Sequence, residues 1–201
     1  MSRFTQRVSA DESALESVKG AAGALARWIL NPPKDRRRGF EMQCASEFTN
    51  MIRKQTGIGK VPHVASFVKM LLENGESVVL GGWHHAVYDI WRELLQDHKP
   101  AFYTGRESAT AKNRARDSFV SHKTNLLILS IHSGIGLDGL QGACRNVVFG
   151  ELDWSPAPHK QFIGRRATGS CVCLLLRLRY RIGSIRTRDA GAENRTVPRG
   201  R

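Results

Sequence analysis

The run Leu127-Ile128-Leu129-Ser130-Ile131, followed by His132-Ser133-Gly134-Ile135-Gly136-Leu137-Asp138-Gly139, constrains this chain more than any other stretch. A short continuous apolar run that ends in glycine turn signals reads as a strand buried on both faces. A second run, Val147-Val148-Phe149-Gly150, has the same character and opens onto an acidic and aromatic loop, Glu151-Leu152-Asp153-Trp154-Ser155-Pro156. Strands hidden on both sides need helices above and below. The two runs therefore predict an α/β domain built on a parallel sheet.

The remainder of the chain supplies the other pieces. Residues 77–81 and 101–105 read as short strands beside the two strong ones at 125–131 and 146–149. Residues 86–95 and 110–119 have helical apolar spacing between them, and residues 158–165 read as the start of a further helix. Upstream, residues 13–30, 41–55 and 61–73 read as amphipathic helices; Asn31-Pro32-Pro33 stops the first, and Thr56-Gly57-Ile58-Gly59 is expected to be a turn. The expected organisation is a helical arm over residues 1–60, an α/β lobe over 61–166 and a basic tail over 167–201. The lobe should hold a mostly parallel sheet of about five strands. Ligands of open parallel sheets collect at the carboxyl ends of the strands. The loops at 81–85, 104–105, 133–139 and 151–155 are thus expected on one edge.

Charge points to the class of partner. A formal net charge of +13 on 201 residues suits a polyanion, and nucleic acid is the natural candidate. Part of that charge sits in residues 167–201, which hold eight arginines and no lysine. Cys44, Cys144, Cys171 and Cys173 are too few and too scattered for a disulfide framework. Cys171-Val172-Cys173 has no second pair, so no zinc site is expected. His84 and His85 are adjacent on an extended segment, point opposite ways and do not suit one metal ion. No segment approaches the ~20 apolar residues of a membrane span, and the N-terminus lacks a signal-peptide core. A reducing, cytoplasmic setting without membrane contact is expected.

Taken in order, these segments resemble the second RecA-like lobe of superfamily-two helicases, and specifically the Swi/Snf-type DNA translocases. Residues 51–60 are similar to the family's helix and turn leading into that lobe. Residues 77–85, ending in Trp83-His84-His85, are similar to motif IV, and Tyr103-Thr104-Gly105 with Phe119 to the next strand and helix. Residues 130–141 are similar to motif V, residues 151–156 to the loop before motif VI, and Gln161-Phe162-Ile163-Gly164-Arg165 to the opening of motif VI. The resemblance covers residues 12–165. It implies a three-layer RecA-like fold and a lobe that closes over ATP and magnesium held by a first lobe, moving along double-stranded DNA. It makes Arg165 the arginine finger, with Gln161 beside it. Such fingers are worth on the order of 10³–10⁵ in rate in GTPases. Ser133, Gly134, Gly136, Asp138 and Gly139 would approach a phosphate, since glycines let backbone amides come close to an anion. His84, His85, Thr104, Gly105 and Ser130 would lie against nucleic acid. The plain alternatives are a helix-surface arginine at 165 and a ligand-free tight turn at 133–139.

The sequence departs from a complete motor in two places. A phosphate-binding loop needs glycine five positions before its Gly-Lys and a hydroxyl after it. Gly59-Lys60 has Lys54 and Val61 there, and Asp11-Glu12 follows no buried strand. The chain is therefore expected not to hydrolyse ATP by itself. Motif VI also breaks off, because Thr168 stands where the family has a second arginine. The codons CGC GCG ACG GGC AGT encode Arg166-Ala167-Thr168-Gly169-Ser170 and, read two bases later, give Arg-Asp-Gly-Gln, a family-like ending. This suggests a reading-frame shift near Arg165. The apolar run 171–176 can pair with an open sheet edge; otherwise the tail has no partner. Three readings stay open: a separated or truncated motor lobe, a non-catalytic nucleic-acid-binding protein, and an inert truncated gene product.

Overall fold

In the computed structural model the described residues are 2–9, positions 16, 19, 20, 23, 24 and 27, and residues 40–133, 137, 139, 140, 142–144, 146–151 and 172–179. The elements are β1 (Ser2–Ser9), α1 (Phe40–Ile58), α2 (Val61–Glu73), β2 (Val78–Gly82), α3 (His85–Leu94), a short 3-10 turn (Gln96–His98), β3 (Ala101–Tyr103), α4 (Ala109–Val120), β4 (Leu126–Ser130), β5 (Asn146–Phe149) and β6 (Val172–Arg179). They form a six-stranded sheet in the order β1-β6-β5-β2-β4-β3. Every pairing within it is parallel.

Alternation along the central strands assigns each side chain to a face. Val79 of β2, Leu127 and Leu129 of β4, and Val147 and Phe149 of β5 join Phe119 of α4 in one buried cluster. Val78, Leu80, Leu126, Ile128 and Val148 face the other way and meet Val61, Val64 and Val68 of α2 and Val87, Tyr88 and Trp91 of α3. The sheet is thus sandwiched between helices, as its doubly apolar strands require. Leu137, Leu140, Ala143 and Cys144, from the connection between β4 and β5, close the first cluster.

The α/β, parallel, three-layer architecture is the expected one, with two differences. β1 was not anticipated; it pairs with β6 from Ser2 against Val172 to Ser9 against Arg179. Residues 56–58 are not a turn, because α1 continues through Ile58 and the chain bends only at Gly59-Lys60. The apolar run after residue 171 does take the open place beside β5, with Asn146 opposite Val172 and Phe149 opposite Leu175. The rest of the tail, the expected loop at 34–38 and the helix at 158–165 lie outside the described residues.

α3 lies tightly across the sheet. Trp91 is fully buried, and a Cβ built on Gly150 would overlap its indole ring. Glycine just past β5 is what lets so large a ring cross the strand end. Trp91 Nε1 has no hydrogen-bond partner among the described residues.

Candidate functional site

Parallel pairing sets the carboxyl ends of the central strands side by side. Gly82 of β2 stands opposite Ser130 of β4, Gly81 opposite Phe149 of β5, and Tyr103 of β3 opposite Leu129. The loops carrying His84, Thr104-Gly105, Ser133 and Glu151 therefore leave the same edge.

Glu151 organises that edge. It follows β5 directly and is 4% exposed. A carboxylate at the end of a buried strand must find donors. Glu151 finds them in the loop after β2. The Trp83 and His84 amides donate to Oε2 at 2.7 and 2.9 Å. Its Oε1 stands 2.5 Å from His84 Nδ1. Lys60, at the junction of α1 and α2, is also buried; burial lowers its pKa to about 8, opposed by the negative charge of Glu151. A Cβ on Gly57 would come within 2.5 Å of Glu151 Oε1. The junction is thus moulded around the carboxylate.

Trp83 links three elements above this buried group. The guanidinium carbon of Arg53, on α1, lies 4.6 Å from the Trp83 ring centroid. The His132 ring, just past β4, meets Trp83 edge-on with centroids 4.1 Å apart. Cation–π and edge-to-face contacts of this kind orient rings as well as attract them.

The two histidines separate. His84 turns to Glu151, whereas His85 meets Tyr88 edge-on at 5.7 Å and lies beneath Gly105. The buried phenol of Tyr88 has its pKa raised by burial; the Ser130 side chain opposes this, and Glu151 and Glu107 add to it. Gly105 is exposed at the tip of its turn. Thr104 is not exposed. Its amide and hydroxyl both donate to Glu107 Oε2 at 2.6 Å, so it shapes the turn and does not offer its hydroxyl outward. Ser130 and Ser133 are half-buried at the end of β4 and just beyond. Gly139 has a φ of +89°, a conformation suited to glycine. Gly134, Gly136, Asp138, Gln161 and Arg165 lie outside the described residues.

Sequence reasoning placed Glu151 on this edge but gave it no role, and it missed Lys60 and Arg53 as members. Among the described residues, no group of three or more His, Cys, Asp or Glu side chains is placed to hold a metal ion. Nor is any described helix long and apolar enough to cross a membrane.

The fold defines a class, a RecA-like α/β lobe. Its form is similar to that of the C-terminal lobes of Swi2/Snf2 ATPases. The chain superposes on the C-terminal part of the Fun30 ATPase domain with a TM-score of 0.70 at 13% identity, over 88% of this chain and 84% of that one. Against the Sulfolobus solfataricus SWI2/SNF2 ATPase C-terminal domain the TM-score is 0.65 at 12% identity, over 88% and 80%. It spans 39% of the S. solfataricus SWI2/SNF2 core domain, with 87% of this chain covered at a TM-score of 0.68 and 12% identity. The C-terminal domain of the DEAD-box protein Dbp5 is similar at a TM-score of 0.51 and 16% identity, over 60% of this chain and 70% of that one. No protein-family model matches the sequence, and no curated protein matches it.

Proposed function

We propose that this chain is the second lobe of an ATP-dependent translocase acting on double-stranded DNA. The observation that supports the reading best is the shared edge. The loops read as motifs IV and V, and Glu151 at the start of the loop leading to motif VI, all leave the carboxyl ends of adjacent parallel strands. In this reading ATP and magnesium are held by a first lobe and supply the driving phosphoryl transfer. Arg165 compensates charge at the phosphates and Gln161 orients beside it. Ser133 and the glycine turn of residues 134–139 carry the closure to the nucleic-acid face. His84, His85, Gly105 and Ser130 form that face, with Arg53 contributing positive charge.

Two features of the sequence favour a lobe that works with a first lobe over a self-sufficient enzyme. The Gly59-Lys60 pair lacks the surroundings of a phosphate-binding loop, and Lys60 is buried against Glu151, not offered to a ligand. Duplex DNA binding tests the reading. The full chain should bind a duplex with an affinity that falls steeply with salt, since phosphate contacts release counterions. When a Swi2/Snf2 first lobe is supplied, ATP should alter that affinity. Duplex binding that ignores both salt and nucleotide contradicts it.

A further inference from the structure

The guanidinium of Arg53 is held by more than its own helix. Arg53 lies near the end of α1, and its guanidinium carbon stands over Trp83, 4.6 Å from the ring centroid. Trp83 is itself fixed from two sides. Its amide donates to Glu151 Oε2 at 2.7 Å. The His132 ring, just past β4, meets it at an interplanar angle of 66° with centroids 4.1 Å apart. A helix, a loop and the ends of two strands therefore converge on one cation. Arg53 and Trp83 are half-buried and His132 is exposed, so the cluster reaches the surface at the carboxyl edge of the sheet. An arginine stacked on a ring uses its flat face there and directs its N–H donors sideways, in the guanidinium plane. That planar fork of five donors can serve more than one acceptor at once. It also matches the spacing of phosphate oxygens, which a lysine ammonium meets only as a point charge.

We propose that Arg53 contacts a backbone phosphate of duplex DNA, donating from the edge of its guanidinium, and that Trp83 is the positioning residue that holds it there. This rests on reading the chain as a DNA-binding lobe, and it extends the nucleic-acid face from the strand-end loops to α1. A contact of this kind fixes where the duplex lies and carries no sequence information.

The test is duplex affinity of the full chain over a salt series, by fluorescence anisotropy. Arg53→Ala should weaken binding at least about tenfold at low salt, alike for duplexes of different sequence. It should also make the slope of log affinity against log salt shallower by about 0.9, the counterion release of one phosphate. Trp83→Phe keeps a ring for the cation and should bind nearly as wild type does. Trp83→Leu should lose most of what Arg53→Ala loses, and the double variant no more than Arg53→Ala alone. Lys54→Ala removes a charge from the adjacent, exposed position of α1 and should cost much less. Alanine suits a helix, so Arg53→Ala stays informative if Trp83→Leu folds poorly. An unchanged salt slope in Arg53→Ala marks an arginine that only packs α1 against the loop, and overturns the proposal. An equal loss in Lys54→Ala marks general electrostatics and does the same. Either result leaves the DNA-binding reading standing. Trp83→Leu at wild-type affinity overturns the positioning role. ATP binding to the chain that disappears with Arg53→Ala would place the phosphate on a nucleotide and overturns the DNA contact. Wild type that binds no duplex even at low salt overturns both the contact and the reading beneath it.

Discussion

Glu151 and His84 are 67 positions apart in the chain, and Glu151 Oε1 lies 2.5 Å from His84 Nδ1. The contact joins the ends of two neighbouring strands, β5 and β2, and fixes the entry into α3. Removing His84 would leave the buried Glu151 carboxylate without one of its partners, which is what makes such contacts costly to break.

Gly57→Ala should destabilise the chain. In an ordinary helix interior the change gains up to about 1 kcal/mol. Here the new methyl meets Glu151 Oε1 at 2.5 Å and Val87 Cγ2 at 3.1 Å. Forcing an extra group into a packed site costs about 1–3 kcal/mol, so the clash outweighs propensity. A urea midpoint below that of wild type is expected; a midpoint above it would show that the junction yields freely.

Trp91 separates volume from polarity. Its ring is fully buried, but its Nε1 has no partner among the described residues. Trp91→Phe therefore loses packing without losing a described hydrogen bond, and should cost clearly less than Trp91→Ala, for which about 3–5 kcal/mol is expected. Equal losses in thermal or chemical denaturation would contradict this.

Lys60 gives stability a distinctive pH dependence. Its pKa is about 8 in the folded chain against 10.5 ordinarily. Between those values the unfolded chain holds a proton that the folded chain has released, so stability rises with pH. The full gain is ~3 kcal/mol. Tyr88 acts oppositely: its raised pKa lets the unfolded chain ionise first above its ordinary value of 10.0, and stability falls there. Denaturation from pH 7 to 11 should show a rise from about pH 8 and then a turnover. Lys60→Met should remove the rise and keep the later fall.

Much of the fold could be read from residues 61–149 because their signals are local. β2, β4 and β5 are apolar runs near glycines or turns, and α2 has Pro62 in its first turn and Asn74-Gly75 at its end. β1 was illegible for the opposite reason. Arg3, Gln6 and Arg7 interrupt any apolar pattern, and the strand exists through its pairing with β6. The end of α1 was misplaced because Gly57 looks like a helix breaker; the glycine is there to make room for Glu151. The site was only partly legible. The loops could be placed on one edge from strand order alone. The joining of Arg53, Lys60, Trp83, His132 and Glu151 depends on contacts between distant segments, which periodicity does not encode. One signal was available: a carboxylate straight after a buried strand requires donors from elsewhere.

The central claim is that this chain supplies the closing half of a motor whose nucleotide is held by another lobe. The direct measurement is ATP turnover with duplex DNA present, for the chain alone and for the chain fused to a Swi2/Snf2 first lobe. The account predicts no turnover alone and DNA-stimulated turnover in the fusion. That turnover should fall about a thousandfold with Arg165→Ala, the lower end of the range for arginine fingers. Motor-like turnover by the isolated chain, or a fusion indifferent to Arg165, would contradict it.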